Sequence, residues 1–308
     1  MMKKIMKVVL LTFLLLSVLV IGWWLWGQYG PLVKSDYYKT TMTGGQKEAI
    51  YTAPGNDSVQ SIKLDPLKNS LWQHKVWYPT ELMTTDKIYP IIVITNGSNM
   101  TFSRYIPIFE HLASWGFVVV GNNDRQSWTG ASAVESLNFL IYLNADKSSF
   151  FYHKLDLKNI GIYGGSQGGV GAINAVTNFD HSSLFTSLFT ASATSLELAK
   201  KLKWSYDVSK IRIPSFMISS TGKYDSELIT PLVSLKENVS KMQRNLKIIT
   251  ARRKNIDHDK MMIDTDGYMT AWFSWTLKND KKAEGIFTGS LAELKNNPNW
   301  QDVQIQNE

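Results

Sequence analysis

Short apolar runs recur through residues 90–250, each closed by turn-forming residues. Residues 91–95 read Ile-Ile-Val-Ile-Thr and stop at Asn96-Gly97-Ser98-Asn99; residues 117–120 read Phe-Val-Val-Val. Continuous apolar runs of this length are expected of strands buried on both faces of a sheet. Residues 160–163, 214–219 and 246–249 read as further strands, and the alternating stretch 71–78, closed by Pro79, as an earlier one. Between them the spacing changes to that of helices. Ile106, Phe109 and Leu112 share one side of 102–115, which Gly116 ends, and 131–143, 232–242 and 268–277 are also helical. Strand alternating with helix predicts an α/β fold, with a mostly parallel central sheet and helices on both faces.

One run breaks this pattern. Residues 8–26 carry no charge and have no polar face, and at 19 residues they are long enough to cross a bilayer. Lys3, Lys4 and Lys7 precede the run, while Trp23, Trp24 and Trp26 lie at its far end, where aromatic rings favour the headgroup layer. By the positive-inside rule the N-terminus is cytoplasmic and the remainder lies outside. A retained single-pass anchor is expected over residues 1–27. The competing reading is a cleaved signal peptide and a secreted product, but no small-x-small site follows the run. Residues 28–65, mixed and rich in Gly, Thr and Ser, read as a stalk with a peripheral hairpin, and 66–308 as the catalytic domain.

Composition narrows the chemistry. Cysteine is absent, which excludes disulfides, thiolate metal sites and a cysteine nucleophile. Of the net charge of +7, three charges precede the apolar run. The rest are spread along the chain, so no nucleic-acid partner is expected. There is no H-E-x-x-H and no clustering of the five histidines, so no metal is expected.

The chemistry-bearing stretch is 159–169. A strand-like run ends in Gly164-Gly165-Ser166-Gln167-Gly168-Gly169, and a helix-compatible run follows. Strand, tight turn with serine, then helix is the context of a G-x-S-x-G nucleophile elbow. A serine on such a turn still needs a base for its proton, and an acid to orient the base. His258 lies in a polar loop after the last predicted strand, at the carboxyl edge of the sheet, which is also the edge of the elbow. His74 and His111 fall within a strand and a helix, His153 and His181 in loops before and after the elbow. Asp225 follows the strand at 214–219 and completes the order Ser166…Asp225…His258. Capping the next helix is its alternative role, and Asp257 and Asp259 flank His258 without being well placed to reach its Nδ1. An oxyanion hole would draw on the N–H of Gln167 and on Ser98, in the turn after residues 91–95. Asn99 in the same turn, and Trp128 after the strand 117–120, are expected to contact substrate.

The segments 91–99, 111–120, 224–226, 257–258 and 267–272, together with the Ser166 elbow, resemble α/β-hydrolases in content and order. The likeness covers roughly residues 70–290 and is nearest the branch of cutinase-like polyester hydrolases, chlorophyllases and dienelactone hydrolases. It implies carboxylic ester cleavage through an acyl-enzyme without metal or organic cofactor, with Ser166 as nucleophile, His258 as base and Asp225 as its orienter. The chain departs from that pattern at two positions. Gly165 stands where many relatives have histidine, and Ser98 where polyester hydrolases tend to carry an aromatic. The expected function is an extracytoplasmic, membrane-tethered serine esterase acting on a small or lipid-like ester. A peptidase or acyltransferase on the same triad, and a non-catalytic surface module keeping the fold, are the alternatives.

Overall fold

The computed structural model describes residues 2–64 and 70–307. In chain order its elements are α1 (Met2–Tyr29), α2 (Gln46–Thr52), β1 (Val59–Leu64), β2 (His74–Pro79), β3 (Tyr89–Thr95), α3 (Ile106–Ser114), β4 (Val118–Asn122), α4 (Ala131–Ala145), β5 (Leu155–Gly165), α5 (Gln167–Ala175), β6 (Ser187–Ala191), α6 (Leu196–Leu202), β7 (Ser215–Ser220), α7 (Leu232–Lys241), β8 (Ile248–Arg253), α8 (Met261–Asp264), α9 (Asp266–Lys278), α10 (Lys281–Phe287), α11 (Glu293–Asn296) and β9 (Trp300–Gln306). The strands form one sheet in the order β1-β2-β4-β3-β5-β6-β7-β8-β9. Pairing is parallel from β4 through β8 and antiparallel at the outer strands β1, β2 and β9.

Alternation along the central strands builds two apolar layers, because successive side chains leave a strand on opposite faces. Ile92 and Ile94 of β3 pack with Phe109 of α3 and with Trp272 and Phe273 of α9. Ile91 and Val93 pack on the other face with Leu137 and Leu140 of α4 and Ile173 of α5. The chain runs from β3 outward to β4, then returns past β3 to β5, so the strand order reverses between β3 and β5. Crevices that bind ligands in open α/β sheets lie beyond the carboxyl ends of strands at such a reversal. Here those ends carry Asn96–Met100 and Ser166.

Within the segment 28–65, expected as a stalk with a peripheral hairpin, residues 30–64 pack on the domain. Val33, Tyr37 and Tyr51 are buried in the layer that holds α3 and α9, and β1 pairs with β2. Tyr37 donates its hydroxyl to Asp266 Oδ2 at 2.5 Å, and Tyr51 donates to Asp280 at 2.6 Å. Asp266 Oδ2 also lies 2.7 Å from His111 Nδ1, while His111 Nε2 lies 2.9 Å from the Ala53 carbonyl. Both ring nitrogens therefore face acceptors, an arrangement that suits the doubly protonated imidazolium. Burial lowers the His111 pKa, but the Asp266 carboxylate and the Ala53 carbonyl outweigh it, and the net shift is upward. Three distant segments are tied together inside the core by this cluster.

The expected helix at 102–115 is divided. A 3₁₀ turn, Phe102–Arg104, precedes α3, which begins with Pro107 in its first turn. Strands β6 and β9 fall outside the sequence-based expectation altogether. None of the described side chains of α1 is buried, and within it Ile5–Gly27 is long and apolar enough to cross a membrane.

Candidate active site

Ser166 lies between the last residue of β5 and the first of α5 with φ 56° and ψ −122°. That conformation is costly for a residue with a Cβ, and such outliers persist where the surroundings enforce them. Ser166 N–H donates to the Ala191 carbonyl of β6 at 3.0 Å, and the Ser166 carbonyl accepts from Gly169 N–H at 3.0 Å. A Cβ at Gly168 would lie 2.6 Å from the carbonyl oxygens of both Thr95 and Asn96, so only glycine lets α5 start against the end of β3. Gln167 opens α5, and its backbone N–H has no intrahelical acceptor at that position.

Asp225 is fully buried at the start of a π-helical turn, Asp225–Ile229. The single π-turn is a rare geometry found preferentially at functional sites. Asp225 Oδ1 lies 2.6 Å from His258 Nδ1. Its Oδ2 accepts from Ser192 Oγ at 2.5 Å and from Ser220 N–H at 3.0 Å. Burial alone would raise its pKa. The hydrogen bond and charge of His258, with Ser192 and Ser220, overcome that penalty and hold the carboxyl below the usual aspartate value. The carboxylate thus meets the imidazole rather than capping a helix.

His258 and Ser166 line one pocket of about 340 Å³, walled mostly by apolar side chains including Met100, Tyr105, Tyr163 and Met262. An adjoining depression of about 590 Å³ shares His258 and Tyr224. Ser98 lines the pocket too, and the loop carrying it is fastened at both ends. Asn96 Nδ2 donates to the carbonyls of Asn122 and Asp124 at 3.0 and 2.8 Å, and Asn99 N–H donates to the Arg125 carbonyl at 3.0 Å. No groups of three or more potential metal ligands gather among the described residues.

A family model described as PET hydrolase-like matches residues 47–280. The chain belongs to this family. It is therefore an α/β-hydrolase of the cutinase-like polyester hydrolase branch. A search of curated proteins found no match.

Within this PET hydrolase-like chain, two expected substrate contacts stand apart from the pocket. Asn99 is exposed, with φ 58°, and its Oδ1 accepts from Arg125 at 3.0 Å. Trp128 packs against the apolar layer of α4 and α5, and its carbonyl accepts from Asn174. Neither lines the cavity that holds Ser166 and His258. The reason for Trp128 is local. The 3₁₀ turn Ser127–Thr129 packs on α5, with Ser127 Oγ donating to the Asn96 carbonyl at 2.5 Å and the Trp128 carbonyl held by Asn174, and this sets Trp128 against the apolar layer.

Gly165 has a steric explanation. A Cβ there would lie 2.9 Å from the hydroxyl of Tyr163, which lines the pocket beside Ser166. A side chain at this position would have to displace the Tyr163 hydroxyl. Three contributors had escaped the sequence reading. Ser192 anchors the far oxygen of Asp225, Tyr163 floors the pocket, and Leu32, outside the family match, forms part of its wall. Of these only Tyr163 had a sequence signal, its place directly before the elbow glycine pair Gly164-Gly165.

Proposed function

We propose that this protein is a membrane-tethered serine hydrolase that cleaves carboxylic esters outside the cytoplasmic membrane, with Ser166 as nucleophile, His258 as base and Asp225 as its orienting acid. The observation that carries the reading is the left-handed elbow serine sharing a pocket with an imidazole whose Nδ1 is held 2.6 Å from a buried carboxylate. With Nδ1–H committed to Asp225, the Nε2 lone pair is left to accept the Ser166 proton. Ser166 Oγ then attacks the ester carbonyl. The developing oxyanion accepts hydrogen bonds from the N–H groups of Gln167 and Ser98. The C–O bond breaks, and the alcohol leaves with the proton returned by His258. Water, deprotonated by the same imidazole, attacks the acyl-enzyme, releases the acid and regenerates Ser166. Family membership supports ester rather than amide cleavage, and the reaction needs no cofactor. The lysine-flanked apolar N-terminal helix supports tethering, with the N-terminus cytoplasmic.

The test is hydrolysis of p-nitrophenyl butyrate by the full-length protein in detergent. Wild type should turn the ester over, and Ser166→Ala should lose on the order of 10⁴-fold or more. Equal rates for the two proteins would remove Ser166 from the mechanism.

A further inference from the structure

The pocket is joined directly to the end of the N-terminal helix. Arg104, buried, donates from its guanidinium to the carbonyls of Gly30 and Gly27, the latter at 3.2 Å. The Arg104 carbonyl in turn accepts from Leu32 N–H at 2.9 Å. The next residue, Tyr105, and Leu32 itself both line the pocket that holds Ser166 and His258. Five residue steps separate Leu32 from Gly27, the last residue of the apolar span, which is at most about 17 Å of chain. The headgroup layer is roughly 5–8 Å thick on each side of the hydrocarbon. A tether this short, clamped at both carbonyls, leaves the pocket little freedom to leave the membrane surface.

The rim has a matching character. Leu32, Tyr224 and Leu228 are exposed apolar side chains around the pocket and its adjoining depression. Glu227, Asp257 and Asp259 outnumber Lys223 in the lining of that depression, so the entrance disfavours anionic headgroups.

From this geometry we infer that the natural substrate is an uncharged amphiphilic ester embedded in the outer face of the same membrane, an acylglycerol-type lipid, whose acyl chain enters the apolar pocket from the headgroup layer. The inference rests on the serine esterase reading above and adds the substrate class and its route of entry. The acyl C–O bond breaks, the acyl group passes to Ser166 Oγ and then to water, and the glycerol hydroxyl leaves with the proton from His258.

The test reconstitutes full-length protein into phosphatidylcholine vesicles. Dioleoylglycerol is placed either in the same vesicles or in a second, protein-free population, and released oleate is measured. Confinement to one surface should make the same-vesicle rate at least about tenfold the faster. A flexible spacer of about 20 Gly/Ser residues inserted between Trp26 and Gly27 has a reach of about 25 Å and leaves the Arg104 contacts within the domain. It should lower the same-vesicle rate severalfold with p-nitrophenyl butyrate turnover unchanged. Equal rates in the two arrangements, an undiminished rate with the spacer, or phosphatidylglycerol cleaved as fast as dioleoylglycerol would each overturn the inference while p-nitrophenyl butyrate is still turned over. Loss of p-nitrophenyl butyrate turnover in the wild type would instead sink the esterase reading, and this inference with it.

Discussion

Replacing Asp225 with asparagine isolates the part of the site that is hardest to see in the sequence. The shape is kept, and one oxygen of the amide can still accept from Ser192 Oγ and Ser220 N–H, as Oδ2 does now. The amide NH₂ then faces His258 Nδ1, where a carboxylate oxygen stood at 2.6 Å. Two donors cannot share that contact, so the imidazole is driven to the tautomer with its proton on Nε2. That nitrogen can no longer accept from Ser166. Loss of both the tautomer and the compensating charge is worth a factor of about 10⁴ in kcat where a buried aspartate serves this role in a serine protease, which corresponds to about 5 kcal/mol of barrier. Asp225 does not line the pocket, so KM should change little. Steady-state hydrolysis of p-nitrophenyl butyrate, with thermal unfolding as a control for folding, reads the effect. Asp257→Asn and Asp259→Asn serve as comparisons and should stay within a few-fold of wild type. If Asp225→Asn kept a kcat within about tenfold of wild type while folded, or if one of the neighbours showed the large loss instead, the assignment of the acid would be refuted.

Ser192→Ala should lower kcat by roughly 10-fold through a less well fixed Asp225, since networked side chains exceed their pairwise worth; an unchanged rate would make Ser192 a purely structural residue. Gly165→Ala should destabilise the fold by about 1–3 kcal/mol through overpacking against the Tyr163 hydroxyl, and Tyr163→Phe should restore much of that loss in the double variant; additive losses on urea unfolding would contradict the steric account. The His111 pKa is raised in the folded state, so its contribution to stability is complete below the unfolded value of about 6.5 and is lost as pH rises through the higher folded value. Melting temperature should therefore fall over that range for wild type and be flatter for His111→Gln; parallel profiles would show that the cluster with Asp266 carries no such linkage.

Strands β3 and β4, and the apolar stretches within β5 and β7, were legible because a strand covered on both faces is apolar on both, and such runs stand out against their turns. The elbow was legible for a related reason: its glycines are demanded by the backbone itself, and the same backbone demand applies wherever a strand, a serine and a helix meet this tightly. The order Ser166, Asp225, His258 could be proposed because the end of each parallel strand predicts on which edge its loop lies. β6 was hidden, since Ser187–Ala191 sits within a Ser- and Thr-rich stretch whose burial comes from neighbours on both sides rather than from its own pattern. The edge strand β9, Trp300–Gln306, is half exposed and polar, and it pairs only with β8.

By itself, then, the chain determined most of the central strands and the main helices, which serine is forced onto a strained turn, and that an uncharged run of bilayer length precedes the domain. Only the tertiary structure decided which side chains share the pocket. It placed Leu32 in the wall, set Trp128 half-buried against the apolar layer and Asn99 against Arg125, and set Ser192 behind Asp225. The division has a physical cause. Periodicity and backbone strain are local properties carried by consecutive residues, whereas a pocket is enclosed by loops whose separation in space is settled only once the whole sheet has paired.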